Sequence, residues 1–140
     1  WHSYFHAHSR YCFFQLFLSL LWRLNQMRIV DSSNNELFTS VTNMATFGQR
    51  FKGLLFRSSI GELDAFWFDR CSSVHMFGMV FPIDAIFLDS EYKITKLYKG
   101  LRPWRMAWSW HSHSVLEVSN GLCDRLNITV GQQLRIIEHD

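Results

Sequence analysis

Residues 81–88 set the strongest constraint on this chain. Phe81, Ile83, Ala85 and Phe87 alternate with Pro82, Asp84, Ile86 and Leu88, which is the two-residue period of a β-strand. One side of that strand is wholly apolar, and the other carries a single carboxylate among apolar neighbours. A carboxylate buried there is costly without a partner, so Asp84 must be held by something. Pro82 lacks an N–H and belongs at the start or edge of the strand, which we read over residues 80–88.

The rest of the chain reads as further strands around this one. Apolar and β-branched residues flank the turn cluster Asp31-Ser32-Ser33-Asn34-Asn35, which predicts a hairpin over residues 28–41. Met44, Phe47, Phe51, Leu54 and Leu55 recur at helical spacing, with Thr46 and Gln49 placed for a capping box and Arg57 at the end. Phe66-Trp67-Phe68 predicts a strand, residues 93–98 the return strand after a turn at Glu91-Tyr92, and residues 114–118 another. Ser119 is expected to cap a short helix through Leu122 and Leu126, and residues 133–137 to close the chain as a strand. The expected class is α+β: a mainly antiparallel, curved or barrel-like β-sheet with one amphipathic helix and one short C-terminal helix.

Composition excludes several classes. With 48% apolar and 19% charged residues over 140 positions and a net charge of +2, the chain is neither disordered nor strongly basic, and no nucleic-acid ligand is expected. Three cysteines (Cys12, Cys71, Cys123) cannot all pair internally, which argues against a disulfide scaffold and for reducing surroundings. Residues 1–26 differ from the rest: they hold Arg10, Arg23 and three His but no acid, with an apolar run over 11–22. That run is too short to span a membrane and lacks a small-residue cleavage site. We read 1–26 as an extension arising from a mis-set start or as a hydrophobic leader, and 27–140 as one domain. The expected location is cytoplasmic if translation starts at Met27. It is exported or membrane-associated, with membrane contact, only if the leader is genuine.

The polar chemistry concentrates in residues 70–79. Cys71 and His75 lie four apart, as a thiolate–imidazole pair would, although a buried thiol and a locally bonded His fit the same spacing. His75 and Asp84 form a candidate pair in which the carboxylate orients the ring, for general-base chemistry or for a structural bond. No metal-ligand spacing, glycine-rich phosphate loop or nucleophile elbow is present, so no cofactor and no metal is expected; His111 and His113 read as solvated loop residues. Pro103-Trp104-Arg105, Trp108 and Trp110 form an aromatic and cationic stretch suited to stacking on sugar rings or a partner's surface, or else to a core connection with two of the three tryptophans buried.

Arg50-x-x-Gly53-Leu54-Leu55-x-Arg57, Cys71-x-Ser73-Val74-His75-x-Phe77-Gly78-Met79-x-Phe81-Pro82-Ile83-Asp84 and Leu101-x-Pro103-Trp104-Arg105 resemble, in the same order, the family known as domain of unknown function 192. The likeness extends over residues 47–137. This chain has Met76 where Thr is common, Val80 where Arg is common, Ser119-Asn120-Gly121 for Pro-Ala-Gly, and Gln132 for the Asp of a Gly-Asp-x-Leu turn. The resemblance implies a small, largely β single domain of no established activity, with Arg57, His75, Asp84 and Glu117 at the family's polar positions and converging on one cleft.

Three readings of function compete. In the first, a non-catalytic binding or accessory module holds a small molecule or protein in a cleft around His75 and Asp84, with Arg57, Phe77, Met79, Trp104, Arg105 and Glu117 as binding residues. In the second, a hydrolase or transferase uses His75 as general base with Asp84 and Cys71 as nucleophile. A third is a protein-interaction surface over residues 104–110.

Overall fold

The computed structural model describes residues 27–45 and 59–138. Residues 1–26 and the helix expected after Met44, with Arg57, fall outside them, apart from Met44 itself. Nine strands are described: β1 (Met27–Asp31), β2 (Glu36–Asn43), β3 (Asp64–Phe68), β4 (Ser73–His75), β5 (Ile83–Leu88), β6 (Ile94–Leu101), β7 (Met106–Trp108), β8 (Ser114–Ser119) and β9 (Leu134–Ile137). One short helix, α1 (Leu122–Arg125), follows β8. None of the described helices is long and apolar enough to cross a membrane.

Seven strands form one sheet in the order β6-β5-β8-β3-β2-β1-β9. All neighbours are antiparallel except β2 and β3, which run parallel with Val41 opposite Ala65. The sheet curls into a half-barrel whose two edges meet at one end. There the Ile94 N–H donates to Gln132 O at 2.9 Å and the Leu134 N–H to Tyr92 O at 3.0 Å. Joining the edges removes part of the unpaired backbone that an open sheet would expose.

Each face of the sheet has its own core. The inner face gathers residues from both edges and the centre, among them Ile29, Phe38, Trp67, Ile86, Leu116 and Leu134, and is closed by Leu122 and Cys123 of α1. The opposite face holds Phe66, Phe68, Ile83, Ala85, Phe87 and Val115 and is covered by Val74, Met76, Met79 and Ala107. Val74 and Ala107 belong to a separate two-stranded ribbon of β4 and β7, and Met76 and Met79 to the segment that follows β4. Burial on both sides explains why β5 is apolar on both faces: every residue from Ile83 to Leu88 is buried.

The hairpin expected at residues 28–41 is β1–β2, and its turn is tied by Asp31, whose Oδ1 accepts the N–H groups of Ser33 and Asn35. Pro82 lies just before β5. Ser119, by contrast, does not cap α1: Gly121 holds the cap position at φ 82°, with no side-chain hydrogen bond from it. The tight left-handed turn there brings a more distant cap into play.

Candidate functional site

That cap is Asp84. Its side chain is fully buried near the start of β5, and both oxygens are occupied by backbone donors. Gly100 donates its N–H to Oδ1 at 2.9 Å. Cys123, at the start of α1, donates its N–H to Oδ2 at 3.0 Å. The first donor exists because β6 carries one extra residue between Tyr98 and Leu101 against Ala85 and Ile83, a bulge whose Gly100 takes φ 62°. A Cβ at Gly100 would also press on Asn120 Oδ1 at 3.3 Å. The second donor is one of the unpaired N–H groups at a helix start. Asp84 therefore ties β5, the β6 bulge and α1 together from the inner face.

Glu117 is a second internal carboxyl, on the opposite face. It sits in β8 between Phe66 of β3 and Ala85 of β5. Its side chain keeps some solvent contact, yet burial among these neighbours pushes its pKa up to about 8. Glu117 has no hydrogen-bond or ion-pair partner among the described residues. At neutral pH the carboxyl is therefore mostly protonated.

The two described thiols are unpaired. Cys71 is half-buried, and its Sγ donates to Ser73 O at 3.0 Å rather than meeting His75. Cys123 is fully buried, and burial, with Asp84 alongside, pushes its thiol up to about 12.

The ribbon presents a different kind of surface. Val74 and Ala107 turn inward and pack on the sheet, so their neighbours turn outward: Ser73 and His75 on β4, Met106 and Trp108 on β7. Across the ribbon, His75 stands opposite Met106 and Ser73 opposite Trp108. The pairing runs on past the strands, with the Met76 N–H donating to Arg105 O and the Trp104 N–H to Met76 O, both at 2.8 Å. This brings Phe77 and Trp104 to the same end. The His75 and Phe77 rings stack at 5.4 Å and 24°, and Phe77 lies 6.2 Å from Trp104 at 38°. Phe77 (48%), Trp104 (67%), Met106 (52%), Trp108 (48%) and Trp110 (84%) are all exposed, where a globular fold normally hides such side chains. Trp104 also holds φ 64°, a conformation that strains a bulky residue.

Comparison with known proteins identifies the chain's relatives. The model of the DUF192 family, an uncharacterized ACR, matches residues 26–136. The chain belongs to this family. Among curated proteins it is similar to a UPF0127 protein of Thermococcus sibiricus, 30% identical over 112 residues, 76% of this chain and 72% of that one. Two solved structures share the DUF192 fold at 23% identity. One is a protein of unknown function from Novosphingobium aromaticivorans, with TM-score 0.65, covering 78% of this chain and 82% of its own. The other is a putative transcription regulator from Sinorhizobium meliloti, with TM-score 0.68, covering 79% and 92%.

Set on this DUF192 fold, the residues singled out in the sequence divide into separate groups. Asp84 faces the inner core and Glu117 the opposite core, so the expected convergence of the two on one cleft is not what the sheet allows. His75 stands exposed on the ribbon, and the expected His75–Asp84 pair gives way to two backbone N–H groups. Met79 is buried beneath the ribbon rather than lining an open site. Phe77, Trp104, Arg105 and His75 do share one surface. All three of Trp104, Trp108 and Trp110 are exposed, so none is core. His111 and His113 are exposed and lie between β7 and β8 outside any strand, as read from the sequence, with His113 3.5 Å from Asp69. Sequence reasoning misses Met106, whereas it reads Trp108 and Trp110 as part of an aromatic stretch for stacking or partner contact but not as members of the same outer row. Their signal was present: large residues at 104, 106, 108 and 110 alternate with the small Ala107 and Ser109, the pattern of a strand whose small side faces in.

Proposed function

We propose that this DUF192 domain is a non-catalytic binding module whose contact surface is the outer face of the β4–β7 ribbon. The observation that carries this reading is the run of exposed rings His75, Phe77 and Trp104 continuing into Met106 and Trp108. A contiguous apolar patch of this kind marks a contact site on an otherwise polar surface. The strain at Trp104 supports it as well. A left-handed φ on an exposed tryptophan costs about 1–3 kcal/mol, and strain of this kind clusters at functional positions.

Catalysis is less well supported. A general base at His75 needs an orienting carboxylate, and Asp84 spends both oxygens on structure. A nucleophile at Cys71 needs a partnering imidazole, whereas its Sγ is engaged with Ser73 O.

Thermal shifts against a panel of sugars, nucleotides, organic acids and peptides test the reading, with a Trp104→Ala/Trp108→Ala variant alongside. A bound ligand raises the melting temperature by mass action. A ligand that stabilises the native chain and not the variant supports the ribbon surface. One that stabilises both equally places the site elsewhere and ends the proposal.

A further inference from the structure

The charge around the ribbon is not that of the whole chain. From position 70 to 83 the only charged side chain besides His75 is Arg70, and from 92 to 116 there are Lys93, Lys96, Lys99, Arg102 and Arg105 but no Asp or Glu. Some of these cations are already matched: Lys99 pairs with Asp124 at 2.6 Å, and Arg70 lies 3.6 Å from Asp69. Arg102 and Arg105 are exposed at the Trp104 turn and make no ion pair among the described residues. Lys96 reaches the far end of the ribbon, where its Nζ donates to Trp108 O at 3.2 Å. A net charge of +2 argues against a polyanionic ligand only if charge is spread evenly, and here it is segregated.

Resting on the binding surface proposed above, we infer that the ribbon binds single-stranded nucleic acid, its bases stacking on the Trp104–Phe77–His75 row and on Trp108, its phosphates meeting Arg102, Arg105 and Lys96. Three features favour this occupant. The rings form a line along a two-stranded ribbon rather than an isolated pocket, so they suit a linear ligand. Trp104 (67% exposed) and Trp108 (48% exposed) offer ring surface to a flat ligand at the two ends of the row, while Phe77 and His75 back Trp104 by stacking on each other. Cations flank the row with no carboxylate from either ribbon segment, so a ligand that alternates planar groups with negative charge is complementary along its length. Aromatic platforms with a basic margin bind single strands with little sequence preference, because every base offers a π-face. The surface selects unpaired strands, since bases inside a duplex cannot reach the rings.

The test is fluorescence anisotropy of a labelled 12-nucleotide oligothymidine and an oligouridine of the same length with the full chain, repeated between about 50 and 200 mM salt. Binding is expected with a dissociation constant of about 1–100 μM, weakening as salt rises. Trp104→Ala and Trp108→Ala, both of exposed residues, are each expected to weaken it about 5- to 150-fold while near-ultraviolet circular dichroism of the remaining core stays native-like. Arg102→Gln/Arg105→Gln is expected to reduce the slope of log affinity against log salt by about 1.4, the share of two phosphate contacts on a single strand.

Vesicles of phosphatidylcholine with and without phosphatidylserine run in parallel. Binding to the anionic vesicles but not the oligonucleotides, lost in Trp104→Ala, overturns the inference and leaves the ribbon as the contact surface. Oligonucleotide binding unchanged in both tryptophan variants overturns the inference and the surface together. An absence of oligonucleotide binding at low salt also overturns the inference.

Discussion

Asp84 shows how a single side chain can look catalytic and be structural. A carboxylate on a strand apolar on both faces needs partners, and the sequence offered His75 as a nearby side chain. Its real partners are the N–H of a bulge residue and the N–H at a helix start, groups that every residue carries and that no residue type advertises. Asp84→Asn keeps the shape but sets an NH2 against one of those donors. It is expected to destabilise the protein by about 3 kcal/mol, read from urea unfolding. A change below about 1 kcal/mol would mean that the two bonds matter little. Glu117 makes the opposite prediction. Its pKa is about 8 when folded and in the ordinary carboxylate range when unfolded, so the folded state holds the extra proton between those values. Its contribution is full at acid pH and lost as pH rises through about 8, at up to about 1.4 kcal/mol per pH unit. Glu117→Gln is expected to flatten that decline and to stabilise the protein at pH 8; unfolding midpoints from pH 5 to 9 check it, and equal slopes in both proteins would refute it. Cys123, buried with its thiol pushed to about 12, is expected to resist iodoacetamide at pH 8 until denaturant is added, as mass spectrometry of the labelled peptide would show.

At the scale of elements, legibility followed length and partnership. Strands β5 and β8 and the β1–β2 hairpin were readable because six or more residues of alternating or continuous apolar character, or a strong turn cluster, marked them. The ribbon was not, because β4 and β7 are three residues each, too short for periodicity to register. Its alternation on β7 is also inverted, with Met106 and Trp108 outside and the small Ala107 inside, so the usual rule that tryptophan faces the core left the exposed and the buried reading of this stretch both open. The same inversion makes a prediction about packing. Ala107 is fully buried where the ribbon lies on the sheet, so Ala107→Leu is expected to overpack that contact and cost about 1–3 kcal/mol. Chemical unfolding measures it, and a neutral result would mean that the ribbon does not rest closely on Val74 and the sheet beneath.

In the whole molecule, a half-barrel with a core on each face leaves the ribbon as the layer between the second core and solvent. That placement separates the roles that the sequence had merged. The carboxyls Asp84 and Glu117 belong to the two cores, while His75, Phe77, Trp104 and Arg105 belong to the outer surface, together with Met106 and Trp108. No spacing along the chain could reveal this division, because it depends on β5 and β8 being central strands buried on both sides. The account therefore rests on the outer row being a place of contact. Its most direct test is to follow the tryptophan indole N–H resonances by two-dimensional NMR during titration with the 12-nucleotide oligothymidine, each assigned by substitution. Trp104 and Trp108 are expected to shift together and saturably while buried Trp67 stays in place; a titration that moves neither of them, or that moves Trp67 first, would contradict the account.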